Sequence, residues 1–142
     1  MILGDVSGKG IEAASMSALV KTALTAYAWE GAGPARMARS LNSMLMGFSR
    51  VETFVTAFIA KIDLKAGRVT YCSAGHPPTM VIRPESMPLG GGEARGGEVE
   101  LLGCQSGVIG AFESMVYETG VFTFAPGDML FMYTDGTIEA RD

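Results

Sequence analysis

Two carboxylates in this chain stand where the backbone direction is tightly controlled. Asp5 lies in Gly4-Asp5-Val6-Ser7-Gly8-Lys9-Gly10, and Asp135 follows the apolar run Met129–Thr134 and precedes Gly136. Glycines this dense mark backbone that turns sharply or lies close to something. Taken singly, each acid belongs to an ordinary turn. Taken together, two acids delivered by strand ends could converge on a hard divalent cation, Mn²⁺ or Mg²⁺, which takes oxygen ligands. Such a cation binds phosphate oxygens and lowers the pKa of water. Gly8-Lys9 does not complete a phosphate-cradling P-loop. That motif needs a longer spacer after its first glycine and a Ser or Thr after the lysine, where this chain has Gly10.

Other reactive side chains carry less. Lys9 could meet a substrate phosphate, although an exposed loop lysine is the commoner case. His76, the only histidine, sits in Gly75-His76-Pro77-Pro78 and reads as a turn-stabilising residue rather than a catalytic acid. Glu139 reads as a helix-start acid. Cys72 falls mid-strand, and no Cys-x5-Arg loop surrounds it, which argues against a cysteine phosphatase. Cys72 and Cys104 lack metal-ligand spacing and read as reduced thiols of a cytoplasmic protein.

The elements that must position the two acids follow from periodicity. Ile11–Glu30 carries Met16, Leu19, Val20, Ala23, Leu24 and Tyr27 at helical spacing, which predicts an amphipathic helix with a wide apolar face. Glu12 suits its first turn. Pro34 opens a second helix through Met37, Leu41, Met44, Leu45 and Phe48, with Gly47 near its end. The period then changes to that of strands. Phe54–Ile62 is apolar on both faces and reads as a central strand. Asp63 to Gly67 is a turn, and Arg68–Ala74 pairs back as a hairpin. Thr79–Arg83, Glu98–Leu102, Val116–Phe124 and the buried Met129–Thr134 complete the strands. Pro84–Gly97 and Gly103–Gly110 are Gly-rich connections, and Pro126-Gly127-Asp128 is a tight turn. Two helices followed by antiparallel strands indicate an α+β fold.

The bulk properties agree. The chain has 142 residues, 48% hydrophobic and 18% charged, with a net charge of −4. That describes one compact domain, with no basic footprint for nucleic acid and no apolar run of membrane-spanning length. The ten methionines read as core filler.

Four stretches in order carry a resemblance: GDVSGKG, FVTAFIAKIDLKAGRVTYCSAGHPP, VIGAF and FAPGDMLFMYTDGTIEARD. They resemble the metal-dependent serine/threonine phosphatases of the protein phosphatase type 2C-like superfamily, in its bacterial SpoIIE/RsbU-like branch. The resemblance implies two antiparallel sheets in a sandwich flanked by antiparallel helices. It implies two Mn²⁺ or Mg²⁺ ions, with Asp5 as bridging ligand, the Val6 carbonyl as backbone ligand and Asp135 as a further acid. Water attacks phosphorus in line, without a phosphoenzyme. The implied substrate is a phosphorylated anti-anti-sigma-type protein, and sensor domains are expected in a longer chain. Residues 1–142 read as a single domain lacking the family's first strand and C-terminal acidic motif, with weak metal occupancy. Two further expectations come from those missing parts. The stub Met1-Ile2-Leu3 should lie near Met129–Thr134, and the open edge should favour a homodimer. The alternative function is a non-catalytic interaction module of the same fold.

Overall fold

The computed structural model describes residues 1–48, 53–84, 97–103 and 105–135. Strand β1 (Ile2–Val6) leads through the Gly-rich turn into helix α1 (Gly10–Trp29), and α2 (Pro34–Met46) follows. Strands β2 (Val55–Asp63), β3 (Arg68–Ala74), β4 (Met80–Arg83), β5 (Glu98–Leu101), β6 (Gln105–Ser106), β7 (Gly120–Thr123) and β8 (Met129–Phe131) complete the chain.

The strands form two sheets. Sheet A runs β1-β2-β3, with β6 and β7 sharing the far edge of β3. Sheet B runs β5-β4-β8. All pairings are antiparallel except β6 on β3, which is parallel over Ser73–Ala74. The β2–β3 hairpin is closed by local chemistry. The Asp63 carboxylate accepts the N–H groups of Lys65 and Ala66, both at 3.0 Å, the side-chain-to-backbone bonding typical of an aspartate at a turn.

Helix α2 lies over β2 and β3, and α1 lies against β1. Their buried cluster joins Leu24, Met37, Leu41 and Leu45 to Val55, Ile59 and Cys72 on one face of sheet A. The opposite face contributes Phe58, Val69, Tyr71 and Phe122 to a second cluster with Val81 of sheet B. The layers are therefore helices, sheet A and sheet B. Strand β2 feeds both clusters because its residues alternate between two apolar environments.

Several elements differ from expectation. Helix α1 buries only Val20 and Leu24, while Met16, Ala23 and Tyr27 pack at the margin and Leu19 is exposed. Its apolar residues go all round, so no single stripe dominates. Val116–Phe124 is a strand only over Gly120–Thr123. Tyr117 lies outside the ladder, its hydroxyl 3.1 Å from both Asn42 Oδ1 and the Val108 carbonyl oxygen. The Gly103–Gly110 connection contains β6. Met129–Thr134 is a strand only over Met129–Phe131, and both of those residues are exposed. Strand β8 is an edge pairing only β4, in a different sheet from β1, so it does not lie beside the Met1–Leu3 stub. Residues 85–96, Cys104 and Glu139 fall outside the described residues.

Candidate functional site

Asp5 is the penultimate residue of β1, in register with Thr56, and its side chain is exposed. The next residues are firmly held. The Val6 N–H donates to Asp5 Oδ1 at 2.9 Å. The Ser7 N–H donates to the Phe54 carbonyl, and the Phe54 N–H donates to Ser7 Oγ, both at 2.9 Å. Val6 itself is buried in the helix-side core. The chain then turns at Gly8, whose φ of +104° disfavours any residue with a Cβ. Asp5 thus stands on a ladder end locked to β2.

Asp135 lies four positions beyond Phe131, the last residue of β8, and is exposed. It comes from sheet B, whereas Asp5 comes from sheet A. One group feels both. His76 occupies the crossover from β3 to β4, the segment that carries the chain from one sheet to the other. Gly75 begins that crossover at φ +62°, and a Cβ there would strike Val108. His76 is only 3% exposed, and neither ring nitrogen has a hydrogen-bond partner. Burial pushes its pKa below the ordinary histidine value. Asp135, then the Tyr133 backbone, then Asp5 pull it the other way. The Tyr133 backbone is therefore near the ring without meeting hydrogen-bond geometry.

Thr79, at the far end of the same crossover, is also buried, with its hydroxyl unpartnered. The reading of His76 as a turn residue did not anticipate its burial. Its uniqueness in the chain was the only sequence signal for it.

An open groove of about 800 Å³ begins beside Asp5, lined by Ser7, Gly8, Lys9, Glu12, Thr53 and Phe54 among others. Neither acid lines it. Lys9 stands on its wall.

Asp5, Asp135 and the Val6 carbonyl are oxygen donors, the right chemistry for a hard cation. Their number is small. Among the described residues, no group of three or more His, Cys, Asp or Glu could hold a metal ion. No described helix is long and apolar enough to cross a membrane.

This arrangement of helices and paired sheets is the fold of PP2C domains. The PP2C domain of SiaA from Pseudomonas aeruginosa superposes with a TM-score of 0.72 at 20% identity, over 95% of this chain and 50% of that one. The RsbU and RsbW domains of Rv1364c from Mycobacterium tuberculosis give a TM-score of 0.73 at 22% identity, over 97% of this chain and 35% of that one. The profile of the Stage II sporulation protein E (SpoIIE) family matches residues 1–142, and the chain belongs to that family. Phosphoserine phosphatase RsbU of Bacillus subtilis is 27% identical over 98% of this chain. The chain spans 38% of RsbU's length.

Proposed function

We propose that residues 1–142 form a phosphatase domain that hydrolyses phosphoserine or phosphothreonine on an anti-anti-sigma-type protein in the cytoplasm, with Mn²⁺ or Mg²⁺ as cofactor. The observation that carries this reading is the match of residues 1–142 to the SpoIIE family, in a chain whose Asp5 stands on a strand end locked to its neighbour. The 27% identity to a phosphoserine phosphatase supports the reaction class.

Asp5, the Val6 carbonyl and Asp135 would hold the cation. When bound, it would supply positive charge to the phosphate oxygens and lower the pKa of water. The locked β1 end sets Asp5 in place before substrate arrives, which is the advantage of a preorganised site. Lys9 on the groove wall meets the phosphate as a mobile point charge. In-line attack of water on phosphorus breaks the P–O bond to the substrate side chain, and the departing alkoxide takes a proton. Sensor domains of a longer chain and a second copy in a homodimer are the further partners of this reading.

Asp5→Asn or Asp135→Asn keeps the side-chain shape and removes the charge. Each should abolish Mn²⁺-dependent phosphate release from a phosphoserine protein while circular dichroism stays unchanged. Full activity in either variant would refute the roles given to these acids. A folded wild-type protein that releases no phosphate with either metal would favour a non-catalytic interaction module.

A further inference from the structure

We infer that Asn42 of α2 is a positioning residue: through the loop 108–112 it sets the start of β2, and with it the Asp5-bearing end of β1. Each link is a hydrogen bond between named groups. Asn42 Oδ1 accepts from the Gly110 N–H at 2.7 Å, and Nδ2 donates to the Phe112 carbonyl at 3.0 Å. Ile109, next to Gly110, exchanges two backbone bonds with Val55, each at 2.8 Å. Val55 is in register with Val6. Its neighbour Phe54 exchanges two bonds with Ser7, the residue after Val6. Phe54 and Val55 are therefore clamped from both sides, Val55 by the loop and Phe54 by the chain leaving β1.

Packing follows the same path. Val6, Val55 and Ile109 share one buried cluster with Leu41 and Leu45 of α2. Gly110 has a φ of +90°, and a Cβ there would stand 2.8 Å from the Thr53 carbonyl oxygen and 3.1 Å from Leu45 Cδ1. The loop thus fills the gap between α2 and the start of β2 without slack. The amide of Asn42 adds direction to this packing. It is only 3% exposed, and a buried amide is costly unless its polar atoms are paired. Here both are, and their partners all lie within 108–117. A satisfied buried amide fixes one arrangement, where a leucine would tolerate several. Tyr117 meets the same oxygen at 3.1 Å, but it is the Gly110 bond that leads on to Ile109 and Val55.

This relay is a property of the metal-free fold. Only its consequence for turnover rests on the phosphatase reading. Asn42→Leu keeps a side chain of similar volume and removes every bond to the loop. In the full chain without metal, exchange at the Ser7, Phe54 and Val55 amides should rise about tenfold relative to Lys61 and Thr70, a ladder pair near the other end of β2. Tyr117→Phe also loses a bond to Asn42 but spares the one to Gly110, and it should leave that ratio unchanged. With Mn²⁺ present, the concentration for half-maximal phosphate release should rise about tenfold in Asn42→Leu, the scale of losing a group that orients metal ligands, with KM for the phosphoprotein unchanged.

A folded Asn42→Leu with an unchanged exchange ratio would overturn the relay. So would an equal rise in Tyr117→Phe, which would reduce Asn42 to general stability. If Asn42→Leu does not fold, wild-type exchange decides. The Gly110, Val55 and Ser7 amides, one from each link, should then open with a common dependence on urea, and three separate dependences would overturn the relay. In an active enzyme, an unchanged Mn²⁺ requirement would remove the role toward the site. Wild-type protein without phosphate release would count against the phosphatase reading and leave the exchange results standing.

Discussion

Sheet A and sheet B are both built from largely apolar strands, yet they meet solvent differently. In sheet A, β2 buries Val55, Ala57 and Ile59 toward the helices and Phe58 and Ala60 toward sheet B. In sheet B, Val81 and Leu102 are buried on the inner side. The outer side carries two cross-strand rows, Leu101–Met80–Phe131 and Val99–Ile82–Met129. Four of those six residues are exposed, Leu101 by 63% and Met129 by 62%. The helix pair accounts for the difference, since α1 and α2 cover sheet A and no described element covers the outer rows of sheet B. Strand composition therefore reports how apolar a face is, and the layer stacked on it decides whether that face is buried.

The largest effect should come from the seam between the sheets. Phe58 is fully buried and stacks on Tyr71 with ring centroids 5.3 Å apart. Phe58→Ala should cost about 3–5 kcal/mol in urea unfolding, the usual toll for deleting a buried aromatic ring. A loss under about 1 kcal/mol would mean that the two sheets are not packed as one core.

A smaller effect should come from the helix side of sheet A. Buried Asn42 ties α2 to the 108–117 segment. Its Oδ1 accepts from the Gly110 N–H at 2.7 Å and from Tyr117, and its Nδ2 donates to the Phe112 carbonyl at 3.0 Å. Tyr117→Phe removes one donor and should cost about 1 kcal/mol. It should also change the alkaline limb. Burial first, and the Cys72 thiol second, push the Tyr117 pKa up to about 12. An unfolded tyrosine titrates near about 10. The folded state then holds the extra proton between those values, so stability is complete below the lower one and falls as pH rises through the upper one. Tyr117→Phe should flatten that fall in a pH series of urea midpoints. An unchanged slope would place the hydroxyl in water.

The smallest effect should come from the outer face of sheet B. Leu101→Ser should change stability by no more than about 0.5 kcal/mol, as at most exposed positions. A loss of several kcal/mol, or one that depends on protein concentration, would show that this face is covered in solution and would erase the contrast between the sheets.

Much of this protein was determined by local sequence. Arg68–Ala74 is a strand over the expected residues, the Asp63–Gly67 turn closes on its own carboxylate, and α2 begins at Pro34. These features depend on neighbours a few positions apart, where periodicity and turn chemistry act. The two acids were also legible, because a carboxylate beside glycine at a strand end is a local pattern. Tertiary structure decided the rest. Gln105–Ser106 pairs parallel to β3 through contacts distant in sequence, and Met129 and Phe131 are exposed because no described element covers the outer face of sheet B. Nothing in Gly75-His76-Pro77-Pro78 says that its ring is buried. That follows from how the chain crosses from one sheet to the other, and a single strand carries no record of which strand it will pair with.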